Sequence, residues 1–128
     1  MSRILVLLSA LILLSTSVPA EEGNTQPGYF ELKPSLVANL ASGGKYIRCD
    51  IQFMTMNPES LAAIEKHAPT LRHELLMLMS DQDGGQLQTA DGKENLRQEA
   101  ITLTRKVMQE LTGKSAVDDL FFTAFFVQ

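Results

Sequence analysis

The segment spanning residues 116–128 constrains the fold more than any other part of the chain. It is strand-like and aromatic, since Phe, Val and Thr fit a pleated surface better than a helix. Strand alternation puts Phe121 and Phe125 on one face and Leu120, Phe122 and Phe126 on the other. A strand apolar on both faces must be covered on both. It is therefore either central in a covered sheet or partly covered by another subunit.

Two further segments read as strands. Residues 45–56 alternate, with Ile47, Cys49, Ile51 and Phe53 on one side and Tyr46, Arg48, Asp50 and Gln52 on the other. Residues 29–41 favour extended backbone around Pro34, and a proline there predicts an edge or bulged strand. Ser42-Gly43-Gly44 separates the two as a tight turn.

Helical signals fill the middle. Asn57-Pro58 has the form of an N-cap followed by a first-turn proline, opening a short helix that reaches His67. Pro69 ends it and starts another, which runs to about Ser80 with Leu71, Leu75 and Leu78 as one stripe, widened by Leu76 and Met79. Gly84-Gly85 marks a loop, and Leu87 with its neighbours is expected to form a very short strand. Asp91, with Glu94 three residues on, predicts the cap of a long helix. Leu96, Ala100, Leu103, Val107 and Leu111 are its inner stripe, Lys106 and Glu110 an outer ion pair, and Gly113 its end. The resulting expectation is an α+β fold: a small sheet of about four strands packed against two or three helices.

The start of the chain reads as an address. Arg3 precedes an apolar run, and Val18-Pro19-Ala20 offers small residues before Glu21-Glu22, as in a secretory signal peptide covering residues 1–20. The alternative is an uncleaved signal anchor, although the run is shorter than the roughly 20 residues of a spanning helix. Both put the remainder outside the cytoplasm. Residues 21–28 form a polar linker, leaving residues 29–128 as one folded unit.

Composition narrows the function. A formal net charge of −4 lacks the basic face of a nucleic-acid binder, and one cysteine excludes disulfide frameworks and multi-cysteine metal centres. Cys49 sits on the apolar face of its strand, as a small hydrophobe would. His67 and His73, six residues apart on one helix, would point about 240° apart and share no metal. Neither glycine pair has the context of a phosphate loop, and no nucleophile elbow is present. No catalytic residue, metal site or cofactor is therefore assigned. The excess of apolar residues instead marks Leu36, Val37 and Leu40 together with Phe121, Phe122, Phe125, Phe126 and Val127 as a self-association surface.

Four stretches, in order, resemble the FliL family of flagellar basal-body-associated proteins. They are Tyr29-Phe30-Glu31-Leu32-Lys33-Pro34 leading to Val37-Ala38-Asn39-Leu40; Pro69-Thr70-Leu71-Arg72 with Leu75-Leu76 and Ser80; Leu87-Gln88-Thr89-Ala90-Asp91-Gly92-Lys93-Glu94 with Leu96-Arg97; and Phe121-Phe122-Thr123-Ala124-Phe125-Phe126-Val127-Gln128. The resemblance implies a periplasmic domain similar to the stomatin-like (SPFH, band 7) fold. It further implies a homo-oligomeric ring near the inner membrane, around the stator proteins MotA and MotB and chiefly the periplasmic linker of MotB, that supports motor rotation without catalysing a reaction. Two features depart from the family pattern: a signal-like start in place of a full membrane helix, and His73 where an acidic residue is expected. The alternative implied by the first is a secreted stomatin-like scaffold of the envelope, not tied to the flagellum.

Overall fold

The computed structural model describes residues 26–128. The expected signal segment and most of the linker lie outside the described residues. Three strands, β1 (Gly28–Asn39), β2 (Tyr46–Thr55) and β3 (Asp119–Val127), form an antiparallel sheet in the order β1-β2-β3. Between β2 and β3 the chain forms α1 (Pro58–Lys66), α2 (Ala68–Ser80), α3 (Gly84–Leu87) and α4 (Ala90–Thr112), which cover one face of the sheet. The sheet has three strands where about four were expected. The difference lies at Leu87, which is buried at the end of a single helical turn. Asp83 starts that turn by accepting a hydrogen bond from Gly85 N–H at 2.8 Å, and this cap draws the backbone into helix.

β2 is the central strand. Its alternation is the one read from the sequence, with Ile47, Cys49, Ile51 and Phe53 fully buried beneath the helices. β1 is an edge strand with an irregularity between Leu32 and Leu36, around the cis Lys33–Pro34 peptide bond. Both Leu32 and Leu36 point into the core.

β3 is also an edge strand, and its faces differ from simple alternation. The register shifts opposite Asp50 and Ile51, which pair with Ala124 and Phe122, so Thr123 is an extra residue. Beyond that bulge the facing reverses. Leu120, Phe122, Phe125 and Val127 lie opposite the four core residues of β2, while Phe121 and Phe126 lie on the other face. The expected pairing of Phe121 with Phe125 is thus corrected, because strict alternation cannot anticipate an inserted residue.

The helices begin largely as read. Asn57 accepts from Glu59 N–H at 2.9 Å with Pro58 behind it, and Pro69 lies in the first turn of α2. The inner residues of α2 are Leu71, Leu75 and Met79. Helix α4 is capped by Thr89, not Asp91. The Thr89 hydroxyl accepts from Gly92 N–H at 2.9 Å and donates to Gln86 C=O at 2.7 Å, tying α4 to α3. A Cβ on Gly92 would stand 1.8 Å from that same Gln86 carbonyl oxygen, so only glycine permits the approach.

The buried stripe of α4 is Leu96, Ala100, Ile101, Thr104, Val107 and Met108, with Leu111 exposed. Hydropathy alone hides Thr104. Its hydroxyl donates to Ala100 C=O at 2.7 Å, which satisfies the polar group inside the core. The two glycine pairs meet: Gly84 N–H donates to Ser42 C=O at 2.8 Å, and Gly43 has φ of 69°. A Cβ at Gly43 would lie 2.0 Å from Asp83 Oδ1.

Ile51→Ala is expected to lower stability by about 3 kcal/mol, since it empties a fully buried site on the central strand. Urea unfolding should show a lower midpoint with an unchanged slope. Gly43→Ala is expected to lose about 1–3 kcal/mol from the strained φ and the crowded Asp83.

Candidate functional site

Among the described residues, the helices leave one face of the sheet uncovered. Tyr29 and Val37 of β1, Tyr46 of β2, and Phe121 and Phe126 of β3 stand on it. Among the described residues, four of the seven large exposed apolar side chains are here: Tyr29 (51%), Val37 (55%), Phe121 (36%) and Phe126 (52%). Tyr46 and Phe126 pack at 6.1 Å between ring centroids, and the Tyr46 hydroxyl donates to Gln128 Oε1 at 2.9 Å. Arg48, Asp50 and Gln52 run down the middle of the face, so its apolar residues flank a polar strip.

The residues expected to form a self-association surface are divided by the fold. Val37, Phe121 and Phe126 share the open face. Leu36 is buried in the core and offers no surface, because it points toward the helices from the β1 bulge. Phe122, Phe125 and Val127 are half-buried on the helix side, and Leu40 is half-buried beside Gly44 and Gly84. Tyr29 and Tyr46 join this face although apolar excess does not mark them. Their signal is their position, in step with the polar residues of their own strands.

A groove of about 260 Å³ opens between α4 and β3, lined by Ala90, Lys93, Glu94, Arg97, Phe121 and Phe122. Lys93 Nζ lies 5.0 Å from the centroid of the Phe125 ring, a cation–π contact. Arg97 ties helix to strand: it reaches Glu94 at 2.7 Å, Asp119 Oδ1 at 2.7 Å and the Leu120 carbonyl at 3.1 Å. Arg105 donates to the carbonyls of Val117 and Asp118 at 2.8 and 2.7 Å. On the opposite edge Arg72 donates to the carbonyls of Pro34 and Ser35. The expected partners Lys106 and Glu110 form no ion pair among the described residues; the α4 pair is Arg97 with Glu94.

The reactive groups are placed for structure. Burial pushes the Cys49 thiol up to about 12, and the Asp50 charge adds to the shift, so no thiolate forms near neutral pH. Hydrogen bonds from Arg97 and then Gln98 lower the Glu94 carboxyl to about 2. Among the described residues, no group of three or more His, Cys, Asp or Glu side chains could hold a metal ion. Nor is any helix among them long and apolar enough to cross a membrane.

Comparison with known proteins gives this scaffold a context. Residues 29–128 match the family model described as "Flagellar basal body-associated protein FliL". The chain belongs to the FliL family. A flagellar protein FliL of Aquifex aeolicus is 25% identical over 101 residues, covering 77% of this chain and 60% of the relative. The flagellar protein FliL of Escherichia coli K12 is 27% identical over 94 residues, covering 73% and 61%, and that of Shigella flexneri gives the same figures. The chain thus spans about three fifths of the length of these curated relatives. FliL is a structural flagellar family associated with the basal body, in keeping with a fold whose exposed features are a sheet face and a groove.

Two measurements check the site. Glu94 has a lower pKa folded than unfolded, so its contribution is complete above about 4.5 and fades as pH falls toward about 2. The difference in unfolding midpoint between wild type and Glu94→Gln should therefore be constant above pH 4.5 and close toward pH 2. It should also shrink with salt, since the pair is exposed. Separately, Cys49 should resist a thiol reagent in the native protein and react fully in denaturant.

Proposed function

We propose that this FliL-family chain acts without catalysis, as a periplasmic part of the flagellar motor. Its domain assembles into a ring beside the inner membrane, around the stator proteins MotA and MotB. The ring engages chiefly the periplasmic linker of MotB and thereby supports rotation and motility. Residues 1–20 would direct the chain across the membrane as a signal peptide or hold it there as an anchor. The helix-covered sheet is further proposed to be akin to the stomatin-like (SPFH) domain.

The observation that carries this reading is the family match over residues 29–128, nearly all of the described chain. The structure supports it through what it exposes. An open face bearing Tyr29, Val37, Phe121 and Phe126 is an apolar surface of the kind that protein partners cover. The charged residues along its centre and rim would set orientation more than affinity.

Deleting the gene in a flagellated host should reduce swimming under load, swarming and the number of stator units engaged per motor. Crosslinking in motile cells should trap the chain with MotB. Normal motility, swarming and stator occupancy, with no crosslink, would defeat the proposal.

A further inference from the structure

Residues 120–127 read Leu-Phe-Phe-Thr-Ala-Phe-Phe-Val, nearly the same sequence of side-chain types from either end. Laid against itself in the antiparallel sense, the segment sets Leu120 on Val127, Phe121 on Phe126, Phe122 on Phe125 and Thr123 on Ala124. In a regular strand this match would fail. The members of each pair are an odd number of residues apart and would point to opposite faces. The bulge at Thr123 removes the conflict. Phe121 and Phe126 share the open face, while Phe122 and Phe125, like Leu120 and Val127, face the helices.

We propose that the outer edge of β3 receives the β3 strand of a second copy of this chain, paired antiparallel about a twofold axis between Thr123 and Ala124. Two sheets would thereby join into one. The proposal deepens the self-association part of the preceding reading and rests on it.

The backbone is available for this pairing. Tyr46 and Gln128 exchange both of their main-chain hydrogen bonds, each at 3.0 Å. By the alternation of an antiparallel ladder, Phe126 and Ala124 then also bond to β2, while Val127, Phe125 and, past the bulge, Phe122 turn their N–H and C=O groups outward. No strand lies beyond β3 among the described residues. Exposed unpaired edges of this kind accept strands.

The two edges of the sheet are not equivalent. On β1, Pro34 has no N–H to give, Arg72 occupies the carbonyls of Pro34 and Ser35, and Lys33 and Glu31 form an exposed ion pair at 3.7 Å. On β3, Arg97 and Arg105 occupy only the entry, at the carbonyls of Val117, Asp118 and Leu120, and the Leu120 N–H donates to Asp119 Oδ1 at 2.8 Å, so the free main-chain groups of this edge begin at Phe122.

A second copy is the occupant that the edge fits. Two chains that each carry a net charge of −4 repel, and residues 120–127 bring no charge to the contact. The neighbouring Asp119 is already paired with Arg97. Phe121 would meet the partner's Phe126 as a cross-strand aromatic pair on the open face. A twofold contact closes after two copies, so a ring would be built from such pairs through a different surface.

The test uses the full chain purified from its host. Light scattering should give a dimer or a multiple of it. Amide exchange at Phe122 and Phe125 should slow by more than about tenfold as concentration rises. Mixing Phe121→Cys with Phe126→Cys under mild oxidation should give a disulfide-linked dimer, while either variant alone should not. Like positions would stand about four strand spacings out of step, since the bulge adds a residue without a spacing, or about 13 Å apart, whereas a disulfide needs Cα atoms within about 7 Å. Buried Cys49 does not compete, and the wild-type exchange data stand even if a cysteine variant misfolds. An oligomer whose Phe122 and Phe125 amides stay as fast as in the monomer overturns strand pairing and leaves assembly through another face standing. A monomer at every concentration overturns both. The flagellar role is decided separately by the motility assay.

Discussion

Burial of Ile47, Cys49, Ile51 and Phe53 on one side of β2 decides what the rest of the molecule can be. Each large side chain among them contributes about 1.5–3 kcal/mol on leaving water, and together they fix which face the helices must cover. A slip of one residue would expose all four and bury Arg48, Asp50 and Gln52 in their place. The register of the whole sheet is therefore set at its centre. The opposite face stays outside the core, and the apolar residues of the edge strands that stand on it remain exposed among the described residues.

The arginines translate this packing into edge control. Arg72 holds the bulged part of β1 and Arg97 the start of β3 by donating to strand carbonyls, while Arg105 donates to the carbonyls of Val117 and Asp118 just before β3. These bonds satisfy groups that would otherwise invite another strand. They stop short of residues 122–127. The fold thus has one protected edge, one edge protected only at its start, and an aromatic border beside the unprotected part.

Much of this was legible in the sequence because it rests on local rules. The β2 alternation, the Asn57-Pro58 cap, the helix start at Pro69 and the Gly113 terminus, where φ is 78°, each follow from residue type at one position. What could not be read depends on contacts between distant segments. Thr89 displaces Asp91 as a cap because the Gln86 carbonyl of α3 lies within reach of its hydroxyl. The short strand expected near Leu87 becomes a helical turn because Asp83 caps it. Leu36 leaves the expected surface because the β1 bulge keeps it in phase with the core, and the Thr123 bulge moves Phe125 to the helix side. Apolar excess drew the expected surface from both edge strands. Only the register shows which of their residues face outward.

The proposed assembly runs through the sheet, by the face and edge that the described helices leave uncovered. Site-specific photocrosslinking in motile cells tests it most directly, with a photoreactive residue placed in turn at Tyr29, Val37 and Phe126 on the open face and at Glu65, Glu99 and Glu110 on exposed helix positions. Protein adducts are expected from the sheet positions and few or none from the helix positions. Adducts confined to the helices, with the sheet positions silent, would contradict it.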